Sequence, residues 1–217
     1  MKEWIFSASN NGRALDELQG KLDYTFSNPL LLTQALKHRS YVYKKDESRT
    51  ASNERLEFLG DAVLDLVVTE NLFRRFKTKR EGDLTQIKSL LVSKVVLAEK
   101  GRDLSLGQYL YLSKEETQAG GRNRTSIIGD AFEALLGAIY LDGGLLAAQK
   151  FLIHTLLLNT DEIIANGDYL NFKSVLLEHT QSEKQSLPRY FVNSVKGPDH
   201  RKFFTVEVII EDKQMGI

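Results

Sequence analysis

Apolar positions recur at helical spacing from Ala14 to about Gly167, and two later runs instead alternate apolar with polar residues. The helical stretch is punctuated where helices begin and end, with Asn28-Pro29 at one start and Asp142-Gly143-Gly144 just past one end. Asp83, with Gln86 three residues on, has the form of a capping box opening the run LTQIKSLLVSKVVLAEK. The segment YKKDESRTAS is polar and charged, hence a surface loop or a frayed helix end. Beyond Gly167 a short amphipathic helix, about Asn171 to Gln181, precedes the alternating runs Arg189 to Lys196 and Lys202 to Ile210. Turn-forming residues, Gly197-Pro198-Asp199-His200-Arg201, join them. The pattern predicts an all-α domain over residues 1–167 and a small α+β domain over 168–217.

Two predicted helices carry acids where a buried helix does not favour them. In the first, opened by Asn53 as N-cap, residues at roughly 100° intervals place Glu54, Glu57, Asp61 and Asp65 on one stripe. Leu56, Leu59, Val63, Leu66 and Val67 cover most of the remaining surface. In the second, Thr125 to Leu141, the residues Ile127, Ile128, Ala131, Phe132, Leu135 and Ile139 make a broad apolar face, with Asp130 and Glu133 opposite. The neighbours of those two acids are Gly129, Ala134 and Gly137, small enough for another helix or a bulky ligand to come close. Two interior glycines cost about 1 kcal/mol each against alanine, so close approach is the natural compensation. Four carboxylates brought together repel one another and raise each other's pKa unless a cation intervenes. Oxygen-only ligands without histidine or cysteine point to a hard ion, Mg²⁺ or Mn²⁺, rather than zinc. A lone glutamate on a helix is usually only solvated, and Asp65 is the acid most readily left to that reading; Arg55 or Arg124 could pair with others.

Composition then narrows the picture. A chain of 217 residues, 42% hydrophobic and 27% charged, can bury a sizeable core. Lysine plus arginine balance aspartate plus glutamate at 29 each, so bulk charge gives no argument for nucleic-acid binding and local patches must carry it. The absence of cysteine removes disulfides, thiolate zinc sites and cysteine nucleophiles, and suits a cytoplasmic setting. The opening MKEWIFSASNNGR has too short an apolar stretch for a secretory signal, and no later apolar run is expected to approach membrane-spanning length. Four scattered histidines, His38, His154, His179 and His200, have no evident nucleophile partner.

The run NERLEFLGDAVL, Asn53 to Leu64, resembles the signature of the ribonuclease III family, a long and specific motif. The resemblance continues through Gln34 to Tyr41, Glu81 to Thr85 and Gly129 to Gly144, and so covers nearly the whole first domain. It implies a metal-dependent endoribonuclease that cuts double-stranded RNA as a homodimer. Glu57, Asp61, Asp130 and Glu133 are then the metal ligands, with Asp61 and Glu133 central to catalysis. Glu54 matches a further acidic position of the family's cleavage centre, and Glu81 another. Phe58 matches the aromatic that the family inserts into its partner subunit; otherwise it is a core residue. His38 matches no catalytic group and is read as structural or RNA-proximal. The implied products carry 5′-phosphate and 3′-hydroxyl ends with short 3′ overhangs, and the implied role is rRNA and mRNA processing without a nucleotide cofactor.

The second domain resembles a double-stranded RNA-binding domain of order α-β-β-β-α, expected here to be truncated after its second strand. Ser174, Glu178 and Gln181 match its minor-groove positions, while Leu177 departs from the polar residue usual there. His200 lies in the loop that matches a second minor-groove contact. Basic clusters at Lys37 to Arg39, Lys44-Lys45, Arg74 to Arg80 and Arg201-Lys202 are candidate backbone contacts. Two other readings stand beside the nuclease: a catalytically silent duplex-RNA binder, against which the retained acids argue, and an all-α nucleotide phosphohydrolase, which would usually recruit histidine ligands that are not suitably spaced here.

Overall fold

The computed structural model describes residues 8–166, 172–198 and 202–216. The chain divides into two compact units, Met1–Tyr169 and Leu170–Ile217.

The first unit is helical and is organised around two long elements, α4 (Glu54–Arg75) and α9 (Thr125–Thr155). Before α4 come α1 (Ala8–Leu22), α2 (Pro29–Ala35) and α3 (Arg39–Lys44); between α4 and α9 lie α5 (Glu81–Leu91), α6 (Lys94–Asp103), α7 (Leu106–Tyr109) and α8 (Lys114–Gln118). A short α10 (Thr160–Ala165) follows. The apolar face predicted for α9 is buried throughout, with Phe132, Leu135 and Leu136 at the centre of the core against Leu64, Leu72 and Leu97. Gly137, one of the small residues beside the α9 acids, is explained by a helix crossing, together with Gly60 of α4: a Cβ on Gly60 would stand 1.8 Å from the Glu133 carbonyl oxygen, and one on Gly137 would stand 2.2 Å from that of Leu56. α4 and α9 thus approach backbone to backbone.

Several local expectations are met and others are corrected. Asn28 caps α2 by accepting from the Leu30 N–H, with Pro29 in the first turn. The end foreseen at Asp142-Gly143-Gly144 is a kink: Gly144 takes φ 73°, and helical geometry resumes beyond it to Thr155. The Asp142 carboxylate accepts from the Ser27 and Asn28 N–H groups and from the Tyr24 hydroxyl, tying the kink to the start of α2. Asp83 is not an N-cap; it sits inside α5 and its carboxylate accepts from the Arg80 N–H at 3.1 Å. The run after it is two helices, because Ser93 opens a new N-terminus by accepting from Val96 N. α9 also corrects the expectation that no run is long and apolar enough to span a membrane, since an 18-residue window reaches a mean hydropathy of 1.4. More than half of that window is buried inside the protein, as befits a central core helix.

The second unit places α11 (Phe172–Ser182) before β1 (Arg189–Lys196), β2 (Phe203–Ile210) and β3 (Lys213–Gly216), an antiparallel sheet in the order β1-β2-β3. The expectation of a domain truncated after its second strand is therefore corrected: a third strand is present. Its sequence carries no strand signal, because Lys213-Gln214-Met215-Gly216 lacks apolar alternation and the turn before it is Glu211-Asp212. Both residues adopt positive φ (50° and 60°), as a tight two-residue hairpin requires, without the Asn-Gly or Asp-Gly that normally advertises one.

Candidate active site

α4 and α9 present their acids across the glycine crossing, and α6 brings a lysine to meet them. Oxygens of Glu57, Asp130 and Glu133 lie within 4.8 Å of one another. The Lys94 ammonium stands 2.8 Å from Glu133, 3.6 Å from Glu57 and in direct contact with Asp130. It can come this close because Gly129, facing it on α9, has no side chain: a Cβ there would lie 3.1 Å from Lys94 Cδ. Lys94 is the residue that the sequence reading missed. It is 36 and 39 positions from the acids it touches, and no local period links them.

Burial dominates the electrostatics. Glu133 is only 4% exposed, and removal from water pushes its carboxyl up to about 7, against the pull of Lys94 and reinforced by the charges of Asp61 and Glu57. Glu57 is raised too, by burial first and then by Asp130. The Lys94 ammonium is held well above its ordinary range by Asp130 and Glu133, although burial opposes this. A carboxyl whose pKa is higher in the folded state keeps a proton that the unfolded chain releases. Its stabilising contribution is complete below about 4.5 and is lost as pH rises through about 7. The upper bound is about 3 kcal/mol. In chelator, the wild type is expected to lose thermal stability between about pH 5 and 8, while Glu133→Gln stays comparatively flat. Thermal denaturation across that range checks this, and parallel curves for the two proteins would contradict it.

The other predicted residues distribute unevenly. Asp61 is exposed on α4 and its oxygens are not part of the close group, although its charge acts on Glu133. Glu54 accepts from Ser52 Oγ at 3.0 Å and lies 3.8 Å from Arg39. Glu81 begins α5, exposed, and accepts from Thr85. Asp65, set aside from the sequence, pairs with Lys88 at 3.0 Å. Arg124 pairs with Glu116 at 2.6 Å. Phe58 is 82% exposed, which rules out the core reading. Leu66, assigned to the covering apolar set, is also exposed, because α4 keeps one side free of the unit's own helices. Ser174 and Glu178 fall on α11 with side chains outside the described residues, as does His200 entirely; Gln181 is exposed near the end of α11. Of the basic clusters, Lys37 pairs with Glu47, Lys44 with Glu115, Arg74 with Glu70 and Arg75 with Asp161.

Beside the acids opens a cleft of about 300 Å³ lined by His38, Arg39, Glu54, Glu116 and Arg124 together with Glu57 and Asp130. The donor set fits a hard divalent cation: three carboxylates against one ammonium leave excess negative charge, all oxygen, with one member buried.

Comparison with known proteins identifies the family of both units. The ribonuclease-III-like family model matches residues 28–160, and the double-stranded RNA binding motif matches residues 172–217. Ribonuclease 3 of Fusobacterium nucleatum is 43% identical over 194 residues, 89% of this chain and 83% of that protein. Ribonuclease 3 of Oleidesulfovibrio alaskensis is 44% identical over 197 residues, 91% and 86% of the two chains. The nuclease domain of ribonuclease III from Campylobacter jejuni, in a structure described as showing flexibility in a region involved in dimer formation, superposes with a TM-score of 0.62 at 39% identity. That match covers 67% of this chain and 97% of the other.

Proposed function

The chain belongs to the ribonuclease III family and is a double-stranded-RNA-binding endoribonuclease; from that premise we propose that Glu57, Asp61, Asp130 and Glu133 hold Mg²⁺, with Mn²⁺ a substitute, for phosphodiester hydrolysis. The observation that carries this reading is the meeting of Glu57, Asp130 and Glu133 oxygens around a single ammonium. An ion held there lowers the pKa of water and polarises the scissile phosphate. The protein's own part is positional. The α4–α9 crossing holds the carboxylates at fixed spacing, burial of Glu133 favours a cation as counter-charge, and Lys94 offsets the repulsion that the acids exert on RNA phosphates. We assign Glu54 and Glu81 auxiliary roles, and products with 5′-phosphate, 3′-hydroxyl and short 3′ overhangs. The nuclease domain covers 1–167 and the RNA-binding domain 168–217, with Ser174, Glu178, Gln181 and His200 as groove contacts. Processing of rRNA and mRNA in the cytoplasm, away from any membrane, completes the proposal. Incubation with a long RNA duplex tests it: ion-dependent fragmentation is expected, and undiminished cutting in chelator would remove the metal from the reaction.

The functional unit is a homodimer with two centres, and Phe58 is the side chain that enters the partner. Its exposure, alongside Leu66 and Phe73 on the same flank of α4, leaves an apolar stripe that water disfavours. Phe58→Asp is expected to weaken self-association at least tenfold, since burying an unpaired charge in an apolar contact costs well over about 1.4 kcal/mol. Analytical ultracentrifugation over a concentration series reads this; an unchanged dimer would place the interface elsewhere.

A further inference from the structure

We infer that His38 donates a hydrogen bond to a ribose 2′-hydroxyl in the cleft beside the carboxylates, and so distinguishes RNA from DNA at the cut. The inference rests on the reading of Glu57, Asp130 and Glu133 as the cleavage centre, because Glu57 and Asp130 line both.

His38 is held as a built part of that cleft. Its N–H donates to the Tyr111 carbonyl at 3.1 Å, and Tyr111 in turn donates to Leu36, an isolated bridge that fixes the chain just before α3. The ring nitrogen Nδ1 caps α3 by accepting from the Ser40 N–H, and lies 2.9 Å from Ser40 Oγ. That hydroxyl accepts from the Ser113 N–H at 3.1 Å, which directs its own proton to Nδ1. With Nδ1 an acceptor, the proton of the neutral ring is on Nε2. Burial, with help from Arg39, holds the ring below its ordinary pKa against the pull of Glu116, Asp130 and Glu54, and hence neutral near pH 7. Among the described residues nothing accepts from Nε2, while His38 borders the cleft.

The charge around this donor selects its partner. Glu54, Glu57, Glu116 and Asp130 face Arg39 and Arg124, and both arginines are already near acids, at 3.8 Å from Glu54 and 2.6 Å from Glu116. Even with Glu57 and Asp130 committed to an ion, Glu54 and Glu116 cancel the two arginines, so a second phosphate gains nothing there. A neutral group that accepts from Nε2–H and donates to a carboxylate fits both sides, and a hydroxyl does so. Duplex RNA supplies one at every nucleotide, and DNA supplies none.

Single-turnover cleavage with Mg²⁺ tests this on a short RNA duplex with one cut site, and on duplexes with one 2′-deoxynucleotide at either side of the scissile phosphate. In the wild type one of these deoxy positions is expected to slow cleavage about fivefold to tenfold, the worth of one neutral hydrogen bond. In His38→Phe the all-ribose duplex should be slowed by a similar factor and the deoxy penalty should vanish. His38→Gln, which keeps an N–H near the Nε2 position, should recover part of the discrimination. Taking the ratio of the two substrates within each variant removes effects of the lost cap and of altered sugar pucker. The same deoxy penalty in wild type and His38→Phe, or none in the wild type, overturns the assignment of His38 alone. Failure of the wild type to cut the all-ribose duplex overturns the cleavage-centre reading with it.

Discussion

Replacing Glu133 by glutamine is expected to lower duplex cleavage by about a thousandfold or more while leaving duplex binding nearly unchanged. Losing a ligand from a hard-ion site removes several kcal/mol of charge stabilisation at the reacting phosphate, and each ~1.4 kcal/mol is a factor of ten in rate. Glutamine has the same shape and no charge, so the 4%-exposed position becomes easier to bury rather than harder. The loss should therefore appear in a folded protein, with a melting temperature at or above that of the wild type at neutral pH. Binding persists because the RNA-binding motif of residues 172–217 is untouched. Single-turnover cleavage and an electrophoretic binding titration measure the two separately. Turnover within tenfold of the wild type would take Glu133 out of the centre.

Gly60→Ala is expected to be the most damaging small substitution for stability, at about 3 kcal/mol or more. The added methyl would lie 1.8 Å from a backbone oxygen of α9, and no side-chain rotation can relieve a clash with backbone. The two helices must separate, and Glu57 and Glu133 separate with them, so the variant should also bind divalent ions more weakly. Gly20→Ala supplies the control: a Cβ there meets nothing within 4 Å, and the better helix propensity of alanine makes it neutral or stabilising by up to about 1 kcal/mol. Urea denaturation of the three proteins decides the matter. Equal midpoints for Gly60→Ala and the wild type would mean that the crossing tolerates more separation than its geometry allows.

Much of this site was legible because mid-helix acids and mid-helix glycines are both locally unfavourable, so their company on two apolar helices demanded a tertiary reason. Gly60 and Gly137 have theirs in the α4–α9 crossing, and Gly129 has its own in the approach of Lys94. Asp65 could be set aside, and it does pair elsewhere, with Lys88. Helical periodicity places Asp61 on the stripe of Glu57; the structure leaves it exposed and outside the close group of oxygens, with its charge acting on Glu133.

Phe58 and Leu66 fail the simple rule that apolar means core, because α4 has a flank that its own unit does not cover. β3 failed the strand rule because a short edge strand needs no apolar alternation, and its Glu211-Asp212 turn uses positive φ without glycine.

Local pattern alone settled the helical character of the first unit, the first two strands of the second and which acids are out of place, since period and residue type act within a few neighbours along the chain. It took folding in space to choose which carboxylates meet, to set Lys94 among them and to carry Glu133 to a pKa of about 7. Those properties depend on through-space distance and on burial by other elements, and neither is written in the spacing of residues along one helix.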